Sequence, residues 1–152
     1  MKTGLNSLLI IIALAALFFG CDNFIMNPPP FVITGPICEL AEHPYAYRYA
    51  GISFNLMNNS EKTINRIKVS FMLFDAKTQS NPFIGNNVFE ITKLDLILPN
   101  ENREIIISLD QYIHIAPSDP YLVDFFYISE IKYSDNTIWK DKYGTYNTGT
   151  VK

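Results

Sequence analysis

From Tyr47 onward, apolar residues recur at every second position and the runs are cut by turn-forming clusters, a pattern that suits antiparallel strands with one buried face. Ile52, Phe54 and Leu56 alternate with Ser53, Asn55 and Met57, and Ile67, Val69, Phe71 and Leu73 alternate with Lys68, Ser70, Met72 and Phe74. The turn signal Asn58-Asn59-Ser60-Glu61-Lys62 between them predicts a hairpin. Val88 to Leu98 carries Phe89 and Ile91 on one parity and Leu94, Leu96 and Leu98 on the other, which a β-bulge near Thr92-Lys93 reconciles. Pro99-Asn100-Glu101-Asn102 turns the chain into a strand with Ile105, Ile107 and Leu109 inward. After an irregular stretch from Asp110 to Pro120, Tyr121 to Tyr133 reads as a long bent strand with Val123, Phe125, Tyr127 and Ile131 on one side. Ser134-Asp135-Asn136-Thr137 then closes it onto Ile138 to Lys142.

No apolar 3.6-residue period persists past the first twenty residues, and Ile, Val, Thr, Phe and Tyr dominate the periodic runs, in line with their strand preference. The expected fold is all-β, an antiparallel immunoglobulin-like β-sandwich of six to seven strands over residues 31–143, followed by a polar flexible tail over 144–152. With 48% hydrophobic and 14% aromatic residues the chain is not intrinsically disordered. A net charge of -3 argues against nucleic acid as a partner, since that binding rests on clustered Lys and Arg.

The N-terminus has a different character. Lys2 and the polar pair Asn6-Ser7 precede Leu8 to Phe19, twelve consecutive apolar residues. A bilayer core needs about 17 to 25 helical residues, whereas the apolar region of a secretory signal peptide needs about 7 to 15. The run therefore reads as an export signal, a helix that is cleaved off, spanning residues 1–20. Asn27 and Pro28-Pro29-Pro30 favour extended polyproline II, so residues 21–30 read as a tether of about 30 Å, at about 3.1 Å per residue. The same prolines could instead cover a sheet edge.

Phe18-Phe19-Gly20-Cys21 resembles the lipobox of bacterial lipoproteins, with Phe18 and Phe19 where that box prefers Leu and then Ala or Ser. The resemblance implies lipid on the Cys21 thiol, cleavage between Gly20 and Cys21, and attachment to a cell membrane through acyl chains. Two or more chains anchor stably, because each buried CH2 contributes about 0.8 kcal/mol. Asp22 resembles an inner-membrane retention signal. Asn59-Ser60-Glu61-Lys62-Thr63-Ile64 with Val69 to Asp75, Leu96 to Glu101, and Ile131 to Trp139 resemble the hairpins and turn of FxLYD-type immunoglobulin-like modules of bacterial envelope proteins. That likeness implies a scaffold or protein-interaction domain.

Candidate chemistry is sparse. Cys38, Glu39, Glu42 and His43 include metal-ligating types, but no zinc-like spacing, and the segment reads as one helical turn or loop over one end of the sandwich. Asp110, His114 and Ser118 have the residue types of a hydrolase triad without any nucleophile elbow. The expectation is no catalysis, no metal and no cofactor. Cys38 is expected to be buried, or else to pair between chains. Tyr45, Tyr47 and Tyr49 alternate with Ala46, Arg48 and Ala50, which on an extended backbone places three tyrosines on one face. That strip suits a protein or cell-wall glycan contact, or a cap over the sandwich.

Overall fold

The computed structural model describes residues 28–149. The signal-peptide helix, Gly20, Cys21 and most of the tether lie outside the described residues. Seven strands follow in order: β1 (Phe31–Leu40), β2 (Ala50–Asn58), β3 (Ile64–Phe74), β4 (Val88–Ile97), β5 (Asn102–Ser108), β6 (Leu122–Tyr133) and β7 (Ile138–Lys140). They form two antiparallel sheets, β1-β2-β5 against β4-β3-β6-β7, the order of an immunoglobulin-like sandwich.

The alternation explains which residues fill the space between the sheets. Ile52, Phe54, Leu56, Ile105 and Ile107 point inward from one sheet, and Ile67, Val69, Phe71 and Leu73 from the other. Phe126 links the layers, its ring 4.8 Å from Phe54 edge-on and 5.8 Å from Phe71 in a stacked arrangement. Such aromatic pairs add about 0.5 to 1.5 kcal/mol beyond the area that they bury.

The β2 and β3 runs do not form a hairpin. They belong to opposite sheets, and the five residues between them arch across the sandwich. Asn58 holds this arch: its fully buried amide donates to the carbonyls of Lys62 at 2.9 Å, Ile97 at 3.1 Å and Leu98 at 3.1 Å, and its Oδ1 accepts from the Ser60 amide and hydroxyl.

Nor does β4 switch faces at Thr92-Lys93. Phe89, Ile91, Lys93, Asp95 and Ile97 keep one inward parity, and Leu94, Leu96 and Leu98 project outward with the first 74% exposed. The irregularity lies further on, between the pairings Arg66 with Leu94 and Ile64 with Ile97. In β6 the expected inward set is also displaced. Register shifts at Ser70/Met72 and Lys68/Val69 turn Phe125 and Tyr127 away from the core and bring in Phe126 and Ile128, while Ile131 is buried as expected. Phe125 takes a left-handed φ of 47°, where the extra residue is absorbed.

Cys38 to Leu40, expected to start a helical turn or loop, instead ends the ten-residue strand β1. Gly35, at φ 65°, and Pro36 interrupt its pairing with β2 between Thr34 and Ile37, and this break hides its period. Residues 144–149 also dock instead of fraying: the Thr148 amide donates to the Phe126 carbonyl at 2.7 Å, and Asp141 accepts from the amides of Tyr143 and Tyr146.

Strand directions give the sandwich two distinct poles. The chain enters beside the Asn58–Lys62 arch, where the Asn59 amide donates to the Pro30 carbonyl at 2.9 Å. The turns after β4 and β6 share this pole, with Asn100 at φ 60° and Asn136 at φ 66° in the left-handed conformation that Asn tolerates. The opposite pole gathers the three long connections 41–49, 75–87 and 109–121.

The β6–β7 turn carries a titratable staple. Lys62 Nζ lies 2.8 Å from Asp135 Oδ2, and Thr137 donates to Asp135 Oδ1 from both amide and hydroxyl, which together lower the Asp135 carboxyl to about 2. A carboxyl with a depressed folded pKa contributes stability above its unfolded value of about 3.9, and that contribution is lost as pH falls toward about 2. The Asp135 carboxyl carbon is therefore expected to titrate by NMR with a midpoint near 2, and Lys62→Ala to move that midpoint upward.

Candidate functional site

The tyrosine segment does not form a strip. His43, Pro44, Tyr45 and Ala46 make a tight turn, closed by the Ala46 amide on the His43 carbonyl at 3.0 Å, with proline second and Tyr45 third at φ 70°. That order, with a positive φ in third place, is the pattern of a type II turn, and it reverses the backbone on which the tyrosine alternation depended. Tyr45 stands fully exposed at the turn tip. Tyr47 is buried, its ring lies against Gly51 with no room for a Cβ there, and its hydroxyl donates to Glu39 Oε2 at 3.3 Å. Burial first, and then the Glu39 charge, push the Tyr47 hydroxyl pKa up. Tyr49 is half-buried against the core, with the Arg48 guanidinium 5.2 Å from its ring centre.

Asp110 and Ser118 of the candidate triad hydrogen-bond groups other than His114. Asp110 accepts the Arg48 amide at 2.7 Å and the Tyr49 amide at 3.0 Å. Desolvation raises its carboxyl pKa, but these amides outweigh that and hold it below the usual aspartate range. Asp110 thus fastens the 41–49 connection to the end of β5. Ser118 donates to Asp119 instead, at 2.8 Å, and His114 lines a depression at the distal pole with Phe83, Ile84 and Tyr112.

Cys38 and Glu39 fall on opposite faces of β1, so the candidate metal ligands separate. His43 Nδ1 lies 3.1 Å from the Pro44 carbonyl oxygen. Among the described residues no group of three His, Cys, Asp or Glu side chains could hold a metal ion. Cys38 is buried and free, and desolvation raises its thiol pKa, which lowers its reactivity at neutral pH.

Two surfaces remain that suit contact with another macromolecule. The distal pole carries fully exposed Tyr45 and Ile84 and the strongly exposed Ile115 at the tips of its three connections. Lys77 Nζ bridges two of them by pairing with Asp119 at 2.6 Å, and the Phe83 ring packs on Tyr121 at 5.3 Å. The second surface is the side where the terminal strands β4 and β5 of the two sheets meet. A groove of about 420 Å³ runs between them, capped by the Tyr45 turn. Lys93 donates to the Ile106 carbonyl at 3.1 Å, and Asp95 pairs with Arg103 at 3.3 Å. The exposed leucines of β4 lie on the opposite face of that strand. Their signal in the sequence was the unbroken odd parity from Phe89 to Ile97, disguised because two of its members are charged.

No protein-family model matches the chain, and no curated protein is significantly similar. A solved structure of a hypothetical protein from Peptoclostridium difficile 630 is similar in fold, with a TM-score of 0.55 at 12% identity, covering 76% of this chain and 88% of that one.

Proposed function

We propose that this chain is a lipid-anchored bacterial envelope protein whose sandwich is a non-catalytic module for contact with a protein partner. The observation that carries the reading is polarity. The chain enters the sandwich at one pole directly from the ten residues that follow Gly20, and the opposite pole bears the exposed apolar tips Tyr45, Ile84 and Ile115. Lipid on Cys21 would hold the entry pole toward the bilayer and turn those tips outward. Isolated exposed apolar residues are ordinary, but Ile84 and Ile115 line one depression with Phe83 and Tyr112, an apolar surface of the kind that partners cover.

Asp110 and Ser118 are committed to partners other than His114, which favours a binding role over hydrolysis. The cell-wall glycan alternative rested on the tyrosine strip, and the burial of Tyr47 removes that support.

Intact-mass analysis of protein from a bacterial membrane fraction tests the anchor. The native chain is expected to lack residues 1–20, to carry added acyl mass and to partition into detergent, and Cys21→Ala to do none of these. A native chain that keeps its N-terminus without added lipid overturns the anchoring reading. The contact surface is tested separately, by photo-cross-linking from position 84 in intact cells: adducts to one envelope protein are expected, and Tyr45→Ala with Ile115→Ser should remove them.

A further inference from the structure

We infer that a second copy of this chain docks along the free edge of β4, antiparallel to it, with the twofold axis passing through Leu94. The backbone sets which groups are on offer. The Leu73 amide donates to the Asn87 carbonyl at 3.1 Å, and β3 pairs with β4 through Phe71 with Phe89, Val69 with Ile91 and Ile67 with Lys93. In an antiparallel ladder the bonded residues alternate, so positions 87, 89, 91 and 93 direct their amides and carbonyls to β3. Positions 88, 90, 92 and 94 direct theirs to the opposite edge, where no strand pairs among the described residues. A ten-residue strand with an open edge is a template for another strand.

Side chains select the partner and the register. With the axis through Leu94, the hydrogen-bonded pairs across the junction are Leu94 with Leu94 of the second copy and Thr92 with Leu96 of the second copy. The Thr92 and Leu94 backbones lie on the outward parity, as the open edge requires, and Leu96 shares their exposed side-chain parity. The exposed leucines then cover one another on the outer face of a continuous eight-stranded sheet. On the inner face, Lys93 comes opposite Asp95 of the second copy, and Asp95 opposite its Lys93, at the closely spaced positions where cross-strand side chains approach to about 4.5 to 5.5 Å. Inward-pointing charges usually guard an edge by repulsion. Here the two guards have opposite signs and are two residues apart, so about this axis they attract. The same contact closes the open side of the groove between β4 and β5. A twofold, isologous contact of this kind is closed and does not propagate into fibres. The inference concerns β4 alone and holds with or without lipid on Cys21.

Charge reversal tests it on the full-length chain, sized in excess detergent. The unaltered chain is expected to form dimers. Lys93→Asp places two negative residues opposite two, Asp95→Lys places two positive residues opposite two, and each should weaken the dimer by about a hundredfold. An equimolar mixture of the two variants restores both attractions between unlike copies, so dimers holding one copy of each are expected. Their recovery also shows that both variants are folded. Thr92→Pro gives a second measurement, because the amide it removes faces the open edge and not β3: dimerisation should fall while amide-exchange protection across β3 and β4 persists. Monomers of the unaltered chain at every concentration, undiminished dimers in both charge variants, or a mixture that yields no mixed dimer would each overturn the inference, and an unaltered monomer that binds vesicles through its leucines would reassign the strip to a lipid surface.

Discussion

Asn58→Ala is expected to remove about 3 kcal/mol of stability, a large share of the roughly 5 to 15 kcal/mol that a domain of this size possesses. The amide of Asn58 is wholly buried, and its two N–H groups serve three backbone carbonyls: Lys62 in its own arch, and Ile97 and Leu98 at the end of β4 in the other sheet. Truncation leaves the buried Ile97 carbonyl without its donor, at about 1 to 3 kcal/mol for a group that water cannot reach, and strips the Ser60 amide and hydroxyl of their acceptor, while Lys62 keeps the Ser60 hydroxyl and Leu98 the Glu101 amide. Backbone contacts converge on the same residue, since the Asn58 amide donates to the Glu101 carbonyl and the Asn58 carbonyl accepts from the Asn100 amide. Those bonds survive the substitution, which argues for a weakened arch and not a lost one. Urea denaturation should show a lower midpoint with little change in slope. Asn58→Asp separates polarity from shape: its carboxylate faces three carbonyl oxygens, so it should cost more than alanine at neutral pH. That excess should shrink on acidification, when the protonated acid can donate once.

Asn58 also shows where the sequence was legible and where it was not. The apolar residues of β2, β3 and β5 alternate cleanly, and the burial of Ile52, Phe54, Leu56, Ile67, Val69, Phe71, Leu73, Ile105 and Ile107 follows from that period. A two-residue period reports which face is inward without naming the neighbouring strand. A hairpin and an arch between sheets therefore look alike until the Asn58 amide is seen to reach across to β4. The period also fails where charge sits on the inner face, as with Lys93 and Asp95, which face inward at a sheet edge and find partners on β5 in Ile106 and Arg103. It fails again where a turn replaces extension. Proline before Tyr45 was the visible warning that Tyr45, Tyr47 and Tyr49 would not share a face. β1 escaped notice because Gly35 and Pro36 divide it into two short runs of shifted phase.

The sharpest consequence of a phase error lies in β6, where neighbouring phenylalanines should respond very differently. Phe126→Ala is expected to cost about 3 to 5 kcal/mol, because the ring is fully buried between Phe54 and Phe71 and neither sheet can close over the cavity without moving the other. That loss brings a domain of ordinary stability close to unfolding at room temperature. Phe125→Ala should cost about 1 kcal/mol or less, since its ring is partly exposed and packs at the surface against Tyr127 and Gly144. The left-handed φ of 47° at Phe125 adds a second discriminator. Phe125→Gly relieves a conformation that costs a bulky residue about 1 kcal/mol or more, so glycine there should be no worse than alanine, whereas glycine at an ordinary strand position is the worse of the two. Denaturation midpoints for the three variants settle the phase. If Phe125→Ala proved the more damaging, the register shift opposite Ser70 and Met72 would be misplaced, and with it the docking of Thr148 on Phe126.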